Sequence, residues 1–287
     1  MPLRLVVPPI AALAHVFAAC VSTAGAQATP LAGVEVTIPV TVTTPSGERT
    51  YRMAAVEYRP LGGGPFPAVV LSHGANNDPA ERATITAEFP VTAEVLTGLG
   101  VVVLSPSRRG YGRTGGAWDE GYGGCETYPR FTEAGLETAK DIAAAAQWLR
   151  ARQYVDGARL ALVGYSAGGW GSLALASRGD VAVRGVVMFA GGRGGPDCAP
   201  DRVLDAAGEW GRRAKIPTLW LYSENDSYFP PGFARRMHGA FTGAGGTATL
   251  AMLPPFRKEG HYFIDYPEAI PHWRDKVEGF FRQIGLR

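Results

Sequence analysis

The chain has 287 residues, of which 46% are hydrophobic and 19% are charged, a balance typical of one globular domain with a sizeable core. Its formal net charge of +2 comes from interspersed positive and negative residues rather than from a basic block. This distribution argues against nucleic acid or an anionic membrane surface as the main partner, and a small neutral ligand fits it at least as well.

The N-terminus has the pattern of a signal peptide. Arg4 precedes an apolar, uncharged run over residues 5–21, and residues 22–28 supply small side chains in the A-x-A arrangement that signal peptidase cleaves. The pattern predicts a signal peptide over residues 1–28, cleaved after Ala26 or Ala28, and an exported domain over residues 29–287. The alternative is a buried first strand or helix, which the lack of an amphipathic period disfavours.

The chain has three cysteines, and their positions indicate in which cellular compartment the protein works. Cys20 would anchor a lipoprotein only within an acceptor motif that Phe17 matches poorly, so a periplasmic or secreted protein is favoured. Cys125 and Cys198 remain after cleavage, and an even pair in an oxidising compartment favours one disulfide over two unpaired buried thiols. No other apolar run reaches the roughly 18 residues of a membrane helix, so we expect a soluble mature protein without stable membrane insertion.

Strands and helices alternate along the mature chain. Two β-rich segments joined by the turn TPSGE predict an antiparallel hairpin, over residues 34–42 and 50–60. Continuous apolar runs that end in small or polar residues predict strands buried on both faces, over residues 66–74, 100–106, 159–166, 183–192 and 216–226. Residues 247–255 are predicted as the last strand.

Segments with apolar residues three and four apart separate these strands and predict helices. They cover residues 83–100, 131–152, 167–179, 230–246 and 266–286. This alternation with short crossovers predicts right-handed βαβ units, and so an α/β fold with a mostly parallel, eight-stranded sheet and helices on both faces. Ligands of such sheets bind beyond the carboxyl ends of the strands.

The polar residues at those strand ends include a serine, an acid and a histidine in the order Ser166, Asp226, His261. Ser166 lies in LVGYSAGGWG, residues 162–171, which contains the pattern G-x-S-x-G. In a chain with 38 glycines this pattern arises readily by chance, and the alternative is an ordinary serine in a turn of small residues. Its position directly after a buried strand favours a nucleophile on a strained strand-to-helix turn.

Several motifs in register resemble the α/β-hydrolase superfamily, and more narrowly its dienelactone-hydrolase-like and prolyl-oligopeptidase-like esterase branches. They are the hairpin, SHGANN after the third strand, SPSRRGYGRTGG after the fourth, ALVGYSAGG at the serine, LYSENDSYF with the acid and KEGHYF with the histidine. The resemblance covers nearly the whole mature chain. It implies the α/β-hydrolase fold, with Ser166 as nucleophile, His261 as base and Asp226 as the acid that orients it. It also implies an oxyanion hole formed by the backbone N–H groups of Ala75 and Ala167.

Other residues compete for the acid and the base. Glu224 is the alternative acid, but the family's acid follows the strand by a few residues, which favours Asp226. A solvent-exposed loop residue is the alternative interpretation of His261. The remaining histidines have other expected places: His73 shapes the oxyanion loop in the family, His238 falls in a predicted helix, His272 lies near the start of the last helix, and His15 lies in the signal peptide.

Two long Gly-rich segments, residues 107–130 and 191–215, begin at the ends of adjacent strands and are predicted to rim the site. Each contains one of the two remaining cysteines, which strengthens the expectation of a Cys125–Cys198 disulfide. The candidate aromatic residues of a substrate rim are Tyr111, Trp118, Tyr122 and Tyr128, unless these side chains only pack the loops. Neither segment is long enough for a large cap domain, so we expect an open cleft.

The sequence thus predicts an exported serine hydrolase that cleaves a small-molecule carboxylic ester through an acyl-enzyme. The alternatives are a peptidase or amidase of the same fold, and a non-catalytic protein that binds a ligand in the same cleft. Dienelactone hydrolases use a cysteine where this chain has Ser166, and prolyl-oligopeptidase-type peptidases carry a propeller domain that we do not expect here. We expect no cofactor and no metal, because no phosphate-binding Gly-rich loop follows the first parallel strand and no His or Cys cluster has metal spacing.

Overall fold

The computed structural model describes residues 33–44 and 46–287. The predicted signal peptide over residues 1–28, its cleavage position and Cys20 lie outside the described residues and stay predictions. The described residues form one compact unit.

A sheet of eight strands runs through the described part of the chain, in the order β1-β2-β4-β3-β5-β6-β7-β8. The β1–β2 and β2–β4 pairs are antiparallel, and the other five pairs are parallel. The strands are β1 (Val34–Thr44), β2 (Gly47–Tyr58), β3 (Phe66–Ser72), β4 (Val102–Pro106), β5 (Val155–Tyr165), β6 (Val186–Phe189), β7 (Thr218–Ser223) and β8 (Ala248–Leu253). The predicted eight-stranded, mostly parallel sheet is confirmed.

The burial of the strands follows the hydrophobic pattern of each segment. Along β1 buried and exposed residues alternate, with Ile38, Val40 and Val42 turned to the core, because the hairpin covers the core with one face only. The central strands β4, β6 and β7 are buried at every position, as strands covered on both faces must be. The core therefore lies on both sides of the parallel strands.

Seven α-helices connect or follow these strands in the described residues. They are α1 (Pro79–Thr84), α2 (Pro90–Gly98), α3 (Phe131–Arg150), α4 (Ala167–Arg178), α5 (Pro200–Arg213), α6 (Pro231–Gly243) and α7 (Ile270–Gln283). The connection from β3 to β4 runs toward the hairpin edge, whereas all later connections run toward β8. Since parallel crossovers are right-handed, α2 covers one face and α3 to α6 cover the other.

The predicted helix over residues 83–100 was wrong in its first half. The structure has the short helix α1, an irregular stretch over residues 85–89, and then α2, which begins at Pro90. Proline disfavours helical backbone at the preceding residue, here Phe89, and Ala87 has φ +57°. The chain therefore breaks before Pro90, and this break forms one wall of the cleft described below.

The interpretation of residues 191–215 as a Gly-rich rim segment holds for its first part, which lines the cleft, and was wrong for its second half, which is the helix α5. The signal was present in the sequence, since the apolar residues Val203, Ala206, Ala207 and Trp210 recur at helical spacing and are buried. Trp210 packs on Trp170 of α4, with ring centroids 4.3 Å apart. The helix ties the rim segment to the core.

Candidate active site

Ser166 is the single residue between the end of β5 and the start of α4. Its backbone has φ 50° and ψ −120°, a region that residues with a side chain rarely adopt and that marks stored strain. A Cβ on Gly168 would overlap the carbonyl oxygens of Ser72 and His73, and one on Gly164 would overlap the backbone of Gly168. The two glycines thus let α4 start directly against β3 and β5, which raises Ser166 above the sheet.

His261 and Asp226 come to Ser166 from the ends of two later strands. The Nε2 atom of His261 lies 3.1 Å from Oγ of Ser166, and its Nδ1 lies 3.1 Å from Oδ2 of Asp226. Oδ1 of Asp226 accepts the backbone N–H groups of Tyr228 at 2.9 Å and Phe229 at 2.8 Å. Asp226 and His261 are only 2% and 3% exposed, so the acid is held in one orientation.

The competing residues lie elsewhere. Glu224 is exposed, while the neighbouring Asp226 contacts the imidazole of His261. His238 in α6 bonds to the backbone of β8 through Nε2, 3.1 Å from the carbonyl oxygen of Ala248. His272 lies in the first turn of α7, and His15 lies outside the described residues. Of the two candidate acids, the geometry brings Asp226 to the serine.

The loop that carries His261 is held by side chains that sequence reasoning missed. Glu259 accepts the backbone N–H groups of His261 at 2.9 Å and Ser227 at 3.1 Å. Burial opposes ionisation of Glu259, but its hydrogen bonds from Ser227 and His261 outweigh this and lower the pKa of its carboxyl. The ring of Tyr228 stacks on His261 at 4.4 Å, and its hydroxyl lies 2.8 Å from that of Tyr262. The only sequence signal was that these residues lie within two positions of Asp226 or His261.

Ala75 and Ala167 both line the cleft beside Ser166. Ala167 is the first residue of α4, where backbone N–H groups have no partner within the helix. Neither the Ala75 nor the Ala167 N–H group donates to an acceptor within residues 33–44 and 46–287. Within the described residues both N–H groups thus lack an acceptor, as the predicted oxyanion hole requires.

The loop before Ala75 is shaped by Arg108, a fully buried side chain. Its Nη1 donates to the carbonyl oxygen of His73 at 2.6 Å and to Oγ of Ser72 at 2.9 Å, and its Nη2 donates to the carbonyl oxygen of Gly74 at 3.0 Å. Nδ1 of His73 bonds to the Gly74 oxygen at 2.6 Å, and Nε2 accepts the Arg108 backbone N–H at 3.1 Å. This pattern requires a neutral imidazole with its proton on Nδ1.

The pKa of His73 agrees with that protonation state. Burial, aided by the guanidinium of Arg108, lowers the pKa of His73 to about 3. Although two charged groups, Arg108 and Glu120, lie close by, the imidazole stays neutral. His73 thus has the structural place that the resemblance implied for it.

Glu120 compensates the charge of Arg108 inside the protein. It receives Nε and Nη2 of Arg108 at 2.8 and 2.9 Å, Nη2 of Arg193 at 3.0 Å, and the hydroxyls of Tyr111 and Thr138. Burial opposes ionisation of Glu120, but the guanidinium groups of Arg108 and Arg193 outweigh it, so the pKa of its carboxyl is lowered. The carboxylate is charged, and it links the oxyanion loop to the opposite wall of the cleft.

Only one predicted rim aromatic lines the cleft. Tyr122 does so, but Tyr111 is fully buried and donates to Glu120. Nε1 of Trp118 donates to the Tyr111 hydroxyl at 2.8 Å, under the guanidinium of Arg82. Tyr128 is 68% exposed away from the cleft. The prediction was wrong for these three, because the buried Glu120 draws the hydroxyl of Tyr111 inward and Trp118 follows it.

The two loop segments that flank the cleft are joined by a disulfide between Cys125 and Cys198, with Cα atoms 4.9 Å apart. The expected pairing is present in the structure. It ties the segment that carries Tyr122 to the segment that carries Arg193, and both residues line the cleft. The cross-link therefore holds two walls of the site together.

The cleft above Ser166 has a volume of about 620 Å³. Its walls come from the loop after β3, the stretch before α2, the loop after β6 and the residues that follow Asp226 and His261. Within the described residues, no group of three or more His, Cys, Asp or Glu side chains is placed to hold a metal ion. No helix in the same residues is long and apolar enough to cross a membrane.

A sheet in this order, with a serine on the turn after β5, an acid after β7 and a histidine after β8, defines the α/β-hydrolase fold of the serine-hydrolase type. Residues 87–188 match the model of the prolyl oligopeptidase family. That stretch includes Ser166 but covers less than half of the chain. No curated protein matches the sequence.

Solved structures share the fold at low sequence identity. A putative dienelactone hydrolase of Klebsiella pneumoniae is 18% identical with a TM-score of 0.56, over 88% of this chain and 99% of that one. An esterase of Pyrococcus furiosus is 15% identical with a TM-score of 0.60, over 88% and 91% of the two chains. A puromycin-hydrolyzing peptidase of Mycobacterium tuberculosis is 20% identical with a TM-score of 0.59, over 88% of this chain but only 41% of that one.

The chain is an α/β-hydrolase by fold, and its similarities lie with dienelactone-hydrolase-like and prolyl-oligopeptidase-like proteins. The resemblance inferred from its motifs is thereby confirmed. The similar structures include esterases and peptidases. The comparisons therefore indicate a hydrolase, and they do not decide between an ester bond and a peptide bond.

Proposed function

We propose that the protein is an exported serine esterase that hydrolyses a carboxylic ester through an acyl-enzyme. The observation that carries the proposal is the continuous contact from Ser166 through His261 to Asp226, with both heavy-atom distances at 3.1 Å. A serine hydroxyl is a weak nucleophile near neutral pH, and a base within hydrogen-bond reach of it, itself oriented by a carboxylate, is the arrangement that activates it.

In the first half of the reaction, Oγ of Ser166 attacks the ester carbonyl carbon while Nε2 of His261 takes the hydroxyl proton. Asp226 accepts the Nδ1–H and stabilises the imidazolium that forms. The tetrahedral intermediate then collapses, the bond to the alcohol oxygen breaks, and His261 gives its proton to that oxygen. The alcohol leaves and the acyl group remains on Ser166.

In the second half, water replaces the alcohol. His261 takes a proton from the water, the resulting hydroxide adds to the acyl carbon, and the bond to Oγ breaks as His261 returns the proton to Ser166. The free acid leaves and the enzyme is regenerated. In both halves the N–H groups of Ala75 and Ala167 would stabilise the oxyanion, each donor contributing about a hundredfold in rate.

Similarity to a putative dienelactone hydrolase and to an esterase, over 99% and 91% of their lengths, supports an ester as the bond that is cleaved. A cleft open to solvent suits a small ester. Peptidase activity is the second candidate, supported by the match over residues 87–188.

Export is part of the proposal. It rests on the apolar N-terminal run that precedes small residues. The disulfide between Cys125 and Cys198 supports it, because such bonds persist in oxidising compartments.

The test is covalent labelling of the oxidised protein with a fluorophosphonate, followed by mass spectrometry. We expect an adduct on Ser166 and turnover of short 4-nitrophenyl esters, both lost in Ser166→Ala. Asp226→Asn should keep the fold and lose about a thousandfold to ten-thousandfold in kcat, because the imidazole loses its tautomer control.

Absence of an adduct on Ser166 in the folded wild type would refute the serine hydrolase. Equal ligand binding by wild type and Ser166→Ala without turnover would identify a binding protein instead. Faster turnover of a 4-nitroanilide than of the matching 4-nitrophenyl ester would favour the peptidase.

A further inference from the structure

Arg193 is a cation in the wall of the cleft whose hydrogen-bonding capacity is largely unused. It lies on the segment after β6, next to Gly192, whose backbone N–H donates to the carbonyl oxygen of Ser166 at 3.1 Å. The side chain is 4% exposed, and within the described residues only its Nη2 has hydrogen-bond partners: Oε1 of Glu120 at 3.0 Å and Oγ1 of Thr138 at 3.4 Å. Nε is buried without an acceptor, and Nη1 bonds to nothing within the described part of the chain.

The charge of Arg193 is not matched by the carboxylate beside it. Besides the hydrogen bond from Nη2 of Arg193, Glu120 accepts two hydrogen bonds from Arg108, one from Tyr111 and one from Thr138, so Arg193 shares this carboxylate with a second cation. One negative charge thus faces two guanidinium groups. The neighbouring buried carboxylate, Asp141, pairs with a different cation, Arg109, at 2.6 Å.

A buried cation without full compensation is unfavourable unless a ligand supplies the missing anion. The cleft is the open side of Arg193, since the residue lines it together with Ser166 and Tyr122. Of the side chains that line the cleft, Arg193 is the single arginine or lysine within the described residues. An anionic group in the cleft would meet Nη1.

The position of Arg193 relative to the proposed reaction indicates which half of the substrate carries that anion. Through Glu120 and Arg108 its guanidinium is tied to the loop of His73 and Gly74, on the oxyanion side of Ser166. The leaving alcohol must lie beside His261, which protonates it. The ring of His261 packs against Tyr228, which follows β7, and Tyr262, which follows β8. The cation therefore faces the acyl half.

We infer that Arg193 binds a carboxylate carried by the acyl group of the substrate, so that the enzyme prefers half-esters of dicarboxylic acids. The inference rests on the proposed esterase function and narrows its substrate class. A carboxylate fits because a guanidinium makes short, charge-assisted hydrogen bonds with it.

The test compares two esters with acyl chains of the same length, 4-nitrophenyl hydrogen adipate and 4-nitrophenyl hexanoate. The first has a carboxylate where the second has a methyl group. We expect the wild type to show a kcat/KM for the adipate half-ester at least about tenfold above that for the hexanoate. In Arg193→Met this ratio should fall by about tenfold to a hundredfold, and in Arg193→Lys by less.

Arg235→Met is the matched control. It removes the same charge from an exposed position of α6, and its ratio should equal that of the wild type. A wild-type ratio near one, or a ratio that Arg193→Met leaves unchanged, would overturn the inference. If Arg193→Met does not fold, the ratio of the wild type and that of Arg193→Lys still test the carboxylate subsite.

Failure of the proposed function is distinguishable from failure of the inference. A fluorophosphonate adduct on Ser166 with turnover of the hexanoate ester, but no preference for the half-ester, refutes only the carboxylate subsite. If neither ester is hydrolysed and no adduct forms, the esterase proposal fails, and free adipate then tests the subsite by thermal unfolding. A rise in Tm with adipate that Arg193→Met abolishes supports the subsite, and no rise in the wild type overturns it.

Discussion

His73 leads to a quantitative prediction about acid stability, because the fold accepts its imidazole in one protonation state only. Nδ1 donates to the carbonyl oxygen of Gly74, and Nε2 accepts the backbone N–H of Arg108. A proton added to Nε2 would face that N–H donor in a buried site. Burial, together with the Arg108 guanidinium, lowers the pKa of His73 from 6.5 to about 3.

The sign and size of the effect follow from proton linkage. Between pH 6.5 and about 3 the unfolded chain binds a proton at His73 that the folded protein does not bind. The free energy of unfolding therefore falls as the pH falls, by about 1.4 kcal/mol per pH unit in that window. From pH 8 to pH 5 the contribution of this one side chain is a loss of about 2 kcal/mol.

The assay is urea denaturation of the oxidised protein at pH 8 and pH 5, for the wild type and for His73→Gln. The glutamine amide can still accept the Arg108 N–H but cannot titrate. The two proteins share every other titratable group, so the difference between their pH dependences isolates His73. We expect the variant to be less stable at pH 8, and its loss of stability between pH 8 and pH 5 to be smaller by about 2 kcal/mol.

Equal losses in the two proteins would refute the reasoning. They would mean that the folded protein accepts a proton at His73 as readily as the unfolded chain does. The oxyanion loop would then be held in some way other than through a neutral imidazole.

Two further predictions concern the framework of the site. Gly168→Ala should destabilise the protein by about 3 kcal/mol or more, because its Cβ would overlap the carbonyl oxygens of Ser72 and His73. The control Gly279→Ala, at an open helical position, should not destabilise, and equal urea midpoints for both variants would contradict the close approach. Replacing Cys125 and Cys198 by serine should lower the free energy of unfolding by about 2–4 kcal/mol, since the bond closes a loop with a sequence separation of 73. Two free thiols titrated in the unreduced wild type would reject the bond itself.

Local patterns carried most of the fold prediction. Strands buried on both faces are continuous apolar runs, and helices on a sheet have apolar residues three and four apart, so each element leaves its period in the sequence. Pro90 shows how a local conflict moves a boundary, because the apolar pattern continued through the position where the backbone breaks. In α5 the apolar residues do recur at helical spacing, but the glycines and charged residues around them made the segment resemble a loop.

For the site, the order of the catalytic residues could be predicted from the sequence, but the directions of the surrounding side chains could not. The order Ser166, Asp226, His261 after three of the strands was readable along the chain, because parallel strands place their carboxyl ends at one edge. The direction in which each side chain points could not be predicted, because Tyr111 and Tyr122 lie in the same Gly-rich segment, yet Tyr111 is buried in the core and Tyr122 lines the cleft.

The sequence by itself determined the order of elements, the elbow around Ser166 and the residue types that could perform acyl transfer, because these depend on local periodicity and on chain order. The tertiary structure decided which charges share one buried carboxylate. Arg193 lies 73 residues from Glu120 in the chain, and it meets Glu120 and Arg108 only when two loops and α3 close over the oxyanion loop. Such compensation depends on distance in space, and for that reason the unmatched charge of Arg193 became visible only in the folded chain.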